Sequence, residues 1–349
     1  MNVGAGGGSM VGEATQARKV PAQANRRRPT PLRLPLLLRL MLGLGVLAYL
    51  VWRTEMDLLR ATFLGVNASW LLMAVAVQLV GKLVWSLRWA SLLKVYAQEA
   101  RLLTLMKAIY IGQFFNNFLP TSIGGDLARG YWILDNRDGY ERSMFIILLE
   151  RFIGLVTMGF VALPALLWLI LRSGGFPEGD LVLLVIVLLV LCGGILALQP
   201  SVFRRTDALV RIVSNAWLRE HKDAIQRGLE RLQASGFLRV RVYVFSVLVQ
   251  FIGIGFYYAL GRAIGLELVG WHYLVIVPLV TIATMLPITI NGLGVREGSL
   301  ILLTTSLGAN VRVDQALALG LLASVLIALI SLLGGLFYIQ GREAEVRDA

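Results

Sequence analysis

Cysteine is nearly missing from this 349-residue chain: Cys192 is the single one, inside an apolar run. One thiol excludes a disulfide framework and a cysteine-based zinc cluster within the chain. Histidine is almost as scarce. His221 and His272 lie far apart in sequence, so neither a metal nor a cofactor is expected. A nucleotide-binding Walker motif is also absent. Gly7 and Gly12 have its spacing, but Glu13 follows where lysine is required. Any energy source is therefore expected outside this chain. Charge is the last shortage: charged residues make up 15% of the chain, against about 25% in an average soluble domain.

Apolar residues take that place, at 57%. They gather into runs at about 34–52, 68–93, 104–119, 144–171, 181–198, 240–264, 271–290, 299–308 and 313–339. Leu181 to Leu198 is unbroken and long enough to span a bilayer. The roughly ten-residue alternation of a membrane barrel does not occur. These runs predict an all-α polytopic membrane protein, with about eight membrane segments by hydropathy. The formal net charge of +12 is read as topology signal rather than as a nucleic-acid footprint.

Basic loops orient the segments. Residues 18–35 read "RKVPAQANRRRPTPLRLP", and 1–33 read as a disordered basic cytoplasmic arm before an uncleaved first helix. The loop over 200–241 has nine Arg or Lys against four Asp or Glu, which places it inside. Parity then gives six full transmembrane helices: 34–52, 68–93, 144–171, 181–198, 240–264 and 313–339. Residues 102–143 must begin and end inside, and 271–310 must begin and end outside. Each stretch holds a broken apolar pair, expected as a re-entrant hairpin. The termini are expected in the cytoplasm, with 341–349 as a short tail, and the location is an inner or plasma membrane. Within 203–236, Leu209, Ile212, Val213, Trp217, Ile225, Leu229 and Leu232 suggest an amphipathic helix on the inner membrane surface, or a docking surface for a partner.

The two breaks read alike. Leu119-Pro120 is followed by Gly124, Gly125, Asp126 and Arg129. Leu286-Pro287 is followed by Gly292, Gly294, Arg296 and Glu297. Arginine stands nine residues after proline in both. Together with the parity, this predicts an inverted repeat of discontinuous helices meeting near the midplane. Repeat one covers about 68–171, the cytoplasmic loop about 200–239, and repeat two about 240–340, within a transmembrane domain over 34–340. Broken backbone at membrane depth requires burial in protein or contact with a wet cavity. Free N–H groups at a half-helix start attract anions, and an arginine fork suits phosphate.

Ionisable residues inside spans are candidates for function. Lys82, Asp126, Arg129, Glu150, Arg151, Arg296 and Glu297 form such a set, basic by one, which suits an anionic headgroup. Gln113, Asn116 and Asn117 add neutral donors before the first break. Structural roles stand beside these: Asp126 as a helix cap, Glu150 paired with Arg129 or Lys82, Arg296 and Glu297 at a wet interface. Arg88, flanked by Trp85 and Trp89, reads as a snorkelling interface anchor.

Three motifs, "GQFFNNFLPTSIGGDLARGYWI", "LLERFIGL" and "LPITINGLGVREG", resemble the membrane domain of lysylphosphatidylglycerol synthases, over about 35–340. The resemblance implies a lipid flippase, with Pro120, Gly124, Gly125, Asp126, Arg129, Glu150, Arg151, Gly292, Gly294, Arg296 and Glu297 at motif positions. Those synthases carry a further soluble aminoacyl-transfer domain, which is not expected in these 349 residues. The implied substrate is a phospholipid, a hopanoid-related lipid or a polyprenol-linked lipid. A translocator is thus expected, with Asp126 and Glu150 balancing charge or receiving a cationic part of the headgroup. Two alternatives remain: a non-catalytic subunit of a separate lipid-modifying enzyme, or a lipid-modifying enzyme using Asp126 and Glu150 as acid and base.

Overall fold

The computed structural model describes residues 33–96, 99–118, 124–133, 137–173, 178–205, 226–286, 288–307, 309 and 311–348. Among them no strand occurs, and the chain is an all-α polytopic membrane protein. The helices are α1 (Arg33–Trp52), α2 (Met56–Leu64), α3 (Ala68–Leu93), α4 (Leu102–Phe118), α5 (Gly124–Ile133), α6 (Arg137–Ser173), α7 (Glu178–Ala197) and α8 (Pro200–Arg205). After residues 206–225 come α9 (Gly236–Ala263), α10 (Gly270–Met285), α11 (Val295–Ser306) and α12 (Val313–Asp348). Residues 226–234 are helical as well.

Five stretches are long and apolar enough to cross a membrane: Ala68–Leu93, Phe145–Arg172, Gly179–Ala197, Gly236–Ala263 and Val313–Gln340. Their uninterrupted apolar sequences favour helix because each backbone N–H and C=O is then satisfied within the segment. The sixth expected span forms the 20-residue α1. Local capping fixes several starts. Asn67 Oδ1 accepts from Ser69 N and Trp70 N at 3.0 and 3.3 Å, opening α3. Ser235 Oγ accepts from Leu238 N at 3.3 Å, opening α9.

Helix α9 packs along α3, α6 along α7, and α10 along α6. The two broken pairs are α4 with α5 and α10 with α11, each packed on itself and each reaching α12 through α4 or α11. Small residues permit the closest approaches. A Cβ on Gly112 would lie 2.9 Å from Gly125 O, so α5 starts directly on the backbone of α4. On α12, a Cβ at Gly335 would lie 2.9 Å from the Phe114 ring, and one at Gly334 would strike the Tyr110 carbonyl.

Two buried apolar clusters hold the bundle. One gathers Trp89, Leu93, Leu105, Leu198, Leu229, Leu232 and Val242. Leu229 and Leu232 are each 3% exposed, so the described end of the 203–236 segment turns these leucines to the protein rather than to lipid. The rest of that segment's apolar face, Leu209 to Ile225, lies outside the described residues. The other cluster includes Leu59, Leu260, Leu266, Tyr273 and Leu317. Near it, Asn67 N donates to Ala263 O at 2.8 Å, and Thr62 Oγ1 meets Asp314 Oδ2 at 3.5 Å.

Candidate functional site

Glu150 lies one turn from the start of the apolar part of α6 and is 5% exposed. Four donors converge on it. Trp89 Nε1 donates to Oε2 at 2.6 Å and Arg129 Nη2 to the same oxygen at 2.9 Å. Trp85 Nε1 and Arg88 Nη2 both donate to Oε1. A carboxylate offers about four lone-pair sites, so Glu150 is saturated. Arg129 is 3% exposed and stacks on Trp89, 4.3 Å from ring centroid to guanidinium carbon. It also reaches Asp126 Oδ1 at 3.3 Å, and Arg151 donates to Asp126 Oδ2.

Three helices build this cluster. Helix α3 supplies Trp85, Arg88 and Trp89, spaced three and four apart on one side. Helix α5 supplies Asp126 and Arg129, and α6 supplies Glu150 and Arg151. Asn116 of α4 sets the start of α5, its Oδ1 accepting from Gly125 N at 3.0 Å. Arg88 is not the interface anchor expected from its flanking tryptophans. It is 5% exposed and ion-paired with Glu150. The same tryptophans that suggested a membrane interface are hydrogen-bond donors to a buried carboxylate.

The second break is built differently. Asn291, Gly292 and Gly294 have φ of 50°, 71° and 78°, the left-handed region that glycine enters without strain. Helix α11 then begins, and Glu297 Oε2 accepts from Gly294 N at 2.7 Å, capping it. Glu297 is fully buried, and its Oε1 accepts from Ser324 Oγ at 2.8 Å. Arg296 Nη1 donates to that same Ser324 Oγ at 2.6 Å, and Nη2 to Asn291 O at 3.4 Å. Among the described residues no carboxylate comes within ion-pair distance of Arg296, although it is only 8% exposed.

The breaks touch. Asn291 Nδ2 donates to Asn117 Oδ1, and Asn117 Nδ2 donates to Ser331 Oγ at 2.7 Å. Between them lies a cavity of about 390 Å³. Arg88, Asp126, Arg129, Glu150 and Arg151 line one side and Arg296 another. Gln78, Asn116, Gln250, Tyr257, Thr281 and Thr284 add neutral polar groups, while Met158, Val249, Val277, Val280 and Ile327 make an apolar wall.

Of the candidates read from sequence, Asp126, Arg129, Glu150, Arg151 and Arg296 come together at this cavity. Lys82, Asn117, Gly125, Gly292, Gly294 and Glu297 do not line it, and the side of Gly124 lies outside the described residues. Lys82 is buried at 4% exposure, its ammonium 5.0 Å from the Trp85 ring centroid. Asn117 joins the breaks, Gly125 opens α5, and Gly292, Gly294 and Glu297 shape the start of α11. Gln113 does not reach the lining. Pro120 and Pro287 lie outside the described residues. Sequence reading missed Trp85, Arg88 and Trp89 as partners of Glu150, whose helical spacing was the available signal. It also missed Ser324, a hydroxyl inside an otherwise apolar span. No group of three or more metal-ligating side chains occurs among the described residues.

Interrupted helices, buried ion pairs and a cavity between them define a polytopic integral membrane protein with a polar site inside its bundle. Residues 36–338 match the family model of the lysylphosphatidylglycerol synthase TM region, so the chain belongs to that family. No curated protein and no solved structure matches it.

Proposed function

We propose that the chain is a lipid translocator, moving a lipid with an anionic or phosphate-containing headgroup between leaflets. The observation that carries this reading is the cavity that brings Arg129 and Arg296, one from each break, onto a common space. Guanidinium groups in a low-dielectric pocket hold phosphate oxygens strongly, and their forks match phosphate geometry. The apolar wall suits the first carbons of a lipid, whose tails remain in the bilayer. At about 390 Å³ the space falls within the usual range of small-molecule sites, about 300–1,000 Å³. Rocking of one broken pair against the other would open the headgroup space to each leaflet in turn.

The sidedness proposed is cytoplasmic termini in an inner or plasma membrane. Its support is the charge count of the 200–241 loop and the grouping of chain ends. The start of α3, the end of α9, α2 and the start of α12 lie together, as alternating crossings require.

The test is reconstitution of purified full-length chain into liposomes containing headgroup-labelled anionic lipid. Leaflet exposure is followed with a membrane-impermeant quencher, for wild type, Arg129→Lys, Arg129→Ala and Arg296→Ala. Transfer that falls at least tenfold in the alanine variants, with folding intact by thermal unfolding, supports the reading. Absence of transfer for every anionic lipid offered would sink it.

A further inference from the structure

The carboxylates of the site already face arginine. Glu150 accepts from Trp85, Arg88, Trp89 and Arg129, and Asp126 is held by Arg129 and Arg151. Glu150 retains no free lone pair, whereas each oxygen of Asp126 accepts from one arginine and keeps a further acceptor site. An ammonium approaching Asp126 would stand beside Arg129 and Arg151 and meet their like charge. Among the described residues the lining holds four guanidinium groups against two carboxylates, a formal excess of two positive charges. Glu297, behind the lining and linked to Arg296 through Ser324, lowers the excess to one.

Arg296 is where that excess meets the space. Its partners are neutral, the Ser324 hydroxyl and the Asn291 carbonyl. Nearby lining groups are acceptors in waiting. Thr281 Oγ1 donates to Val277 O at 2.7 Å and Thr284 Oγ1 to Thr281 O at 2.8 Å. With their protons committed to their own helix, both hydroxyls offer only lone pairs to a ligand. Acceptors beside a lone cation suit a phosphate that also carries hydroxyl groups.

The geometry points to a headgroup with one phosphodiester and neighbouring hydroxyls, and with no cationic group. The phosphate sits on Arg296, and the hydroxyls donate to Thr281 and Thr284. The Arg88–Arg129–Glu150 cluster positions α3, α5 and α6 around the space, and Arg129, tied to Asp126 and Glu150, adds its charge to the field on the phosphate. This assignment rests on the translocator reading for its lipid context, but it is a statement about binding and is tested as one.

The experiment is lipid retention by the purified full-length chain, read by native mass spectrometry after exposure to equal amounts of four lipids. These are phosphatidylglycerol (anionic, hydroxylated), phosphatidic acid (anionic, without hydroxyls), phosphatidylethanolamine (zwitterionic) and an aminoacylated phosphatidylglycerol (net cationic). A parallel arm offers soluble glycerol 3-phosphate. Phosphatidylglycerol is expected to be retained at least tenfold over the zwitterionic and cationic lipids. Arg296→Ala should abolish that preference and Arg296→Lys should restore part of it. Thr281→Val should narrow only the margin over phosphatidic acid, a readout that misfolding would not produce. Equal or tighter retention of the cationic lipid overturns the inference, as does an Arg296→Ala variant that keeps the preference. Arg296-dependent binding of glycerol 3-phosphate with no lipid retained would assign the cavity to a soluble phosphate and overturn it too. Selective retention without leaflet transfer would sink the translocator while leaving this assignment standing. Transfer that favours the cationic lipid would do the reverse.

Discussion

Asn291 and Asn117 are hydrogen-bonded side chain to side chain, across 174 positions of sequence. The bond ties the end of α4, where the first break begins, to the left-handed turn of the second. It is a direct contact between two interrupted segments far apart in sequence. Ser331 of α12 extends it by accepting from the other side of the Asn117 amide.

Removing Asn117 tests this tie. Asn117→Ala leaves the Asn291 amide and the Ser331 hydroxyl without their partner, at a cost of about 1–3 kcal/mol. Asn291→Ala should cost about 1–2 kcal/mol more than Asn291→Gly, because alanine must hold the positive φ of 50°. Thermal unfolding of the two single variants and the double variant gives the coupling. Additive single effects would mean that the amides do not interact.

Glu150 carries the largest expected stability effect. Glu150→Gln deprives Arg88 and Arg129, both buried, of their shared carboxylate, and breaking such a pair costs about 3–5 kcal/mol. Arg151→Gln should cost about 1 kcal/mol or less, since that side chain is 33% exposed. Denaturation of the two variants side by side checks the order. Equal losses would contradict the saturated geometry around Glu150.

Glycine contacts separate steric need from mere tolerance. A Cβ at Gly125 or Gly334 would meet the backbone of α4, so Gly125→Ala and Gly334→Ala should each cost about 1–3 kcal/mol. Gly193 on α7 has open space around its Cβ, and Gly193→Ala should gain up to about 1 kcal/mol from helix propensity. Unfolding midpoints for the three variants make the comparison. A loss at Gly193 matching that at Gly125 would show that α7 is packed more tightly than its geometry implies.

The proposed sidedness is open to labelling. Cys192 is the single native thiol, so Cys192→Ala provides a cysteine-free background. In that background Asp57→Cys on α2 should react with an impermeant maleimide on intact cells, while Arg239→Cys should react only after permeabilisation. Both positions are exposed, so access to reagent is not limited by packing. The opposite pattern would invert the topology.

Much of the architecture was legible because membrane helices must be apolar for their whole length. The runs at 68–93, 240–264 and 313–339 fall within a few residues of the apolar spans Ala68–Leu93, Gly236–Ala263 and Val313–Gln340. Helix α2 escaped notice because nine residues with Asp57 and Arg60 do not make a run. The breaks announced themselves through glycine beside charge. What could not be read was pairing. Hydropathy says that Arg88 is charged and flanked by tryptophan, but not which way α3 turns, so lipid interface and buried carboxylate looked alike. Ser324 was invisible for the opposite reason: one hydroxyl in an apolar span changes no average. Only three-dimensional register shows it standing between Arg296 and Glu297.

Helix α12 touches both broken pairs along a single stripe. Gly320 faces Glu297, Ser324 bonds Arg296 and Glu297, Ser331 bonds Asn117, and Gly334 lies on Tyr110. These positions are four, seven and three apart, which keeps them on one side of the helix over about 21 Å of its length. The helix is therefore placed as a camshaft would be. Turning it slightly about its own axis would swing all four contacts sideways in the same sense, so α4 and α11 keep time with each other without any signal passing through the space between them.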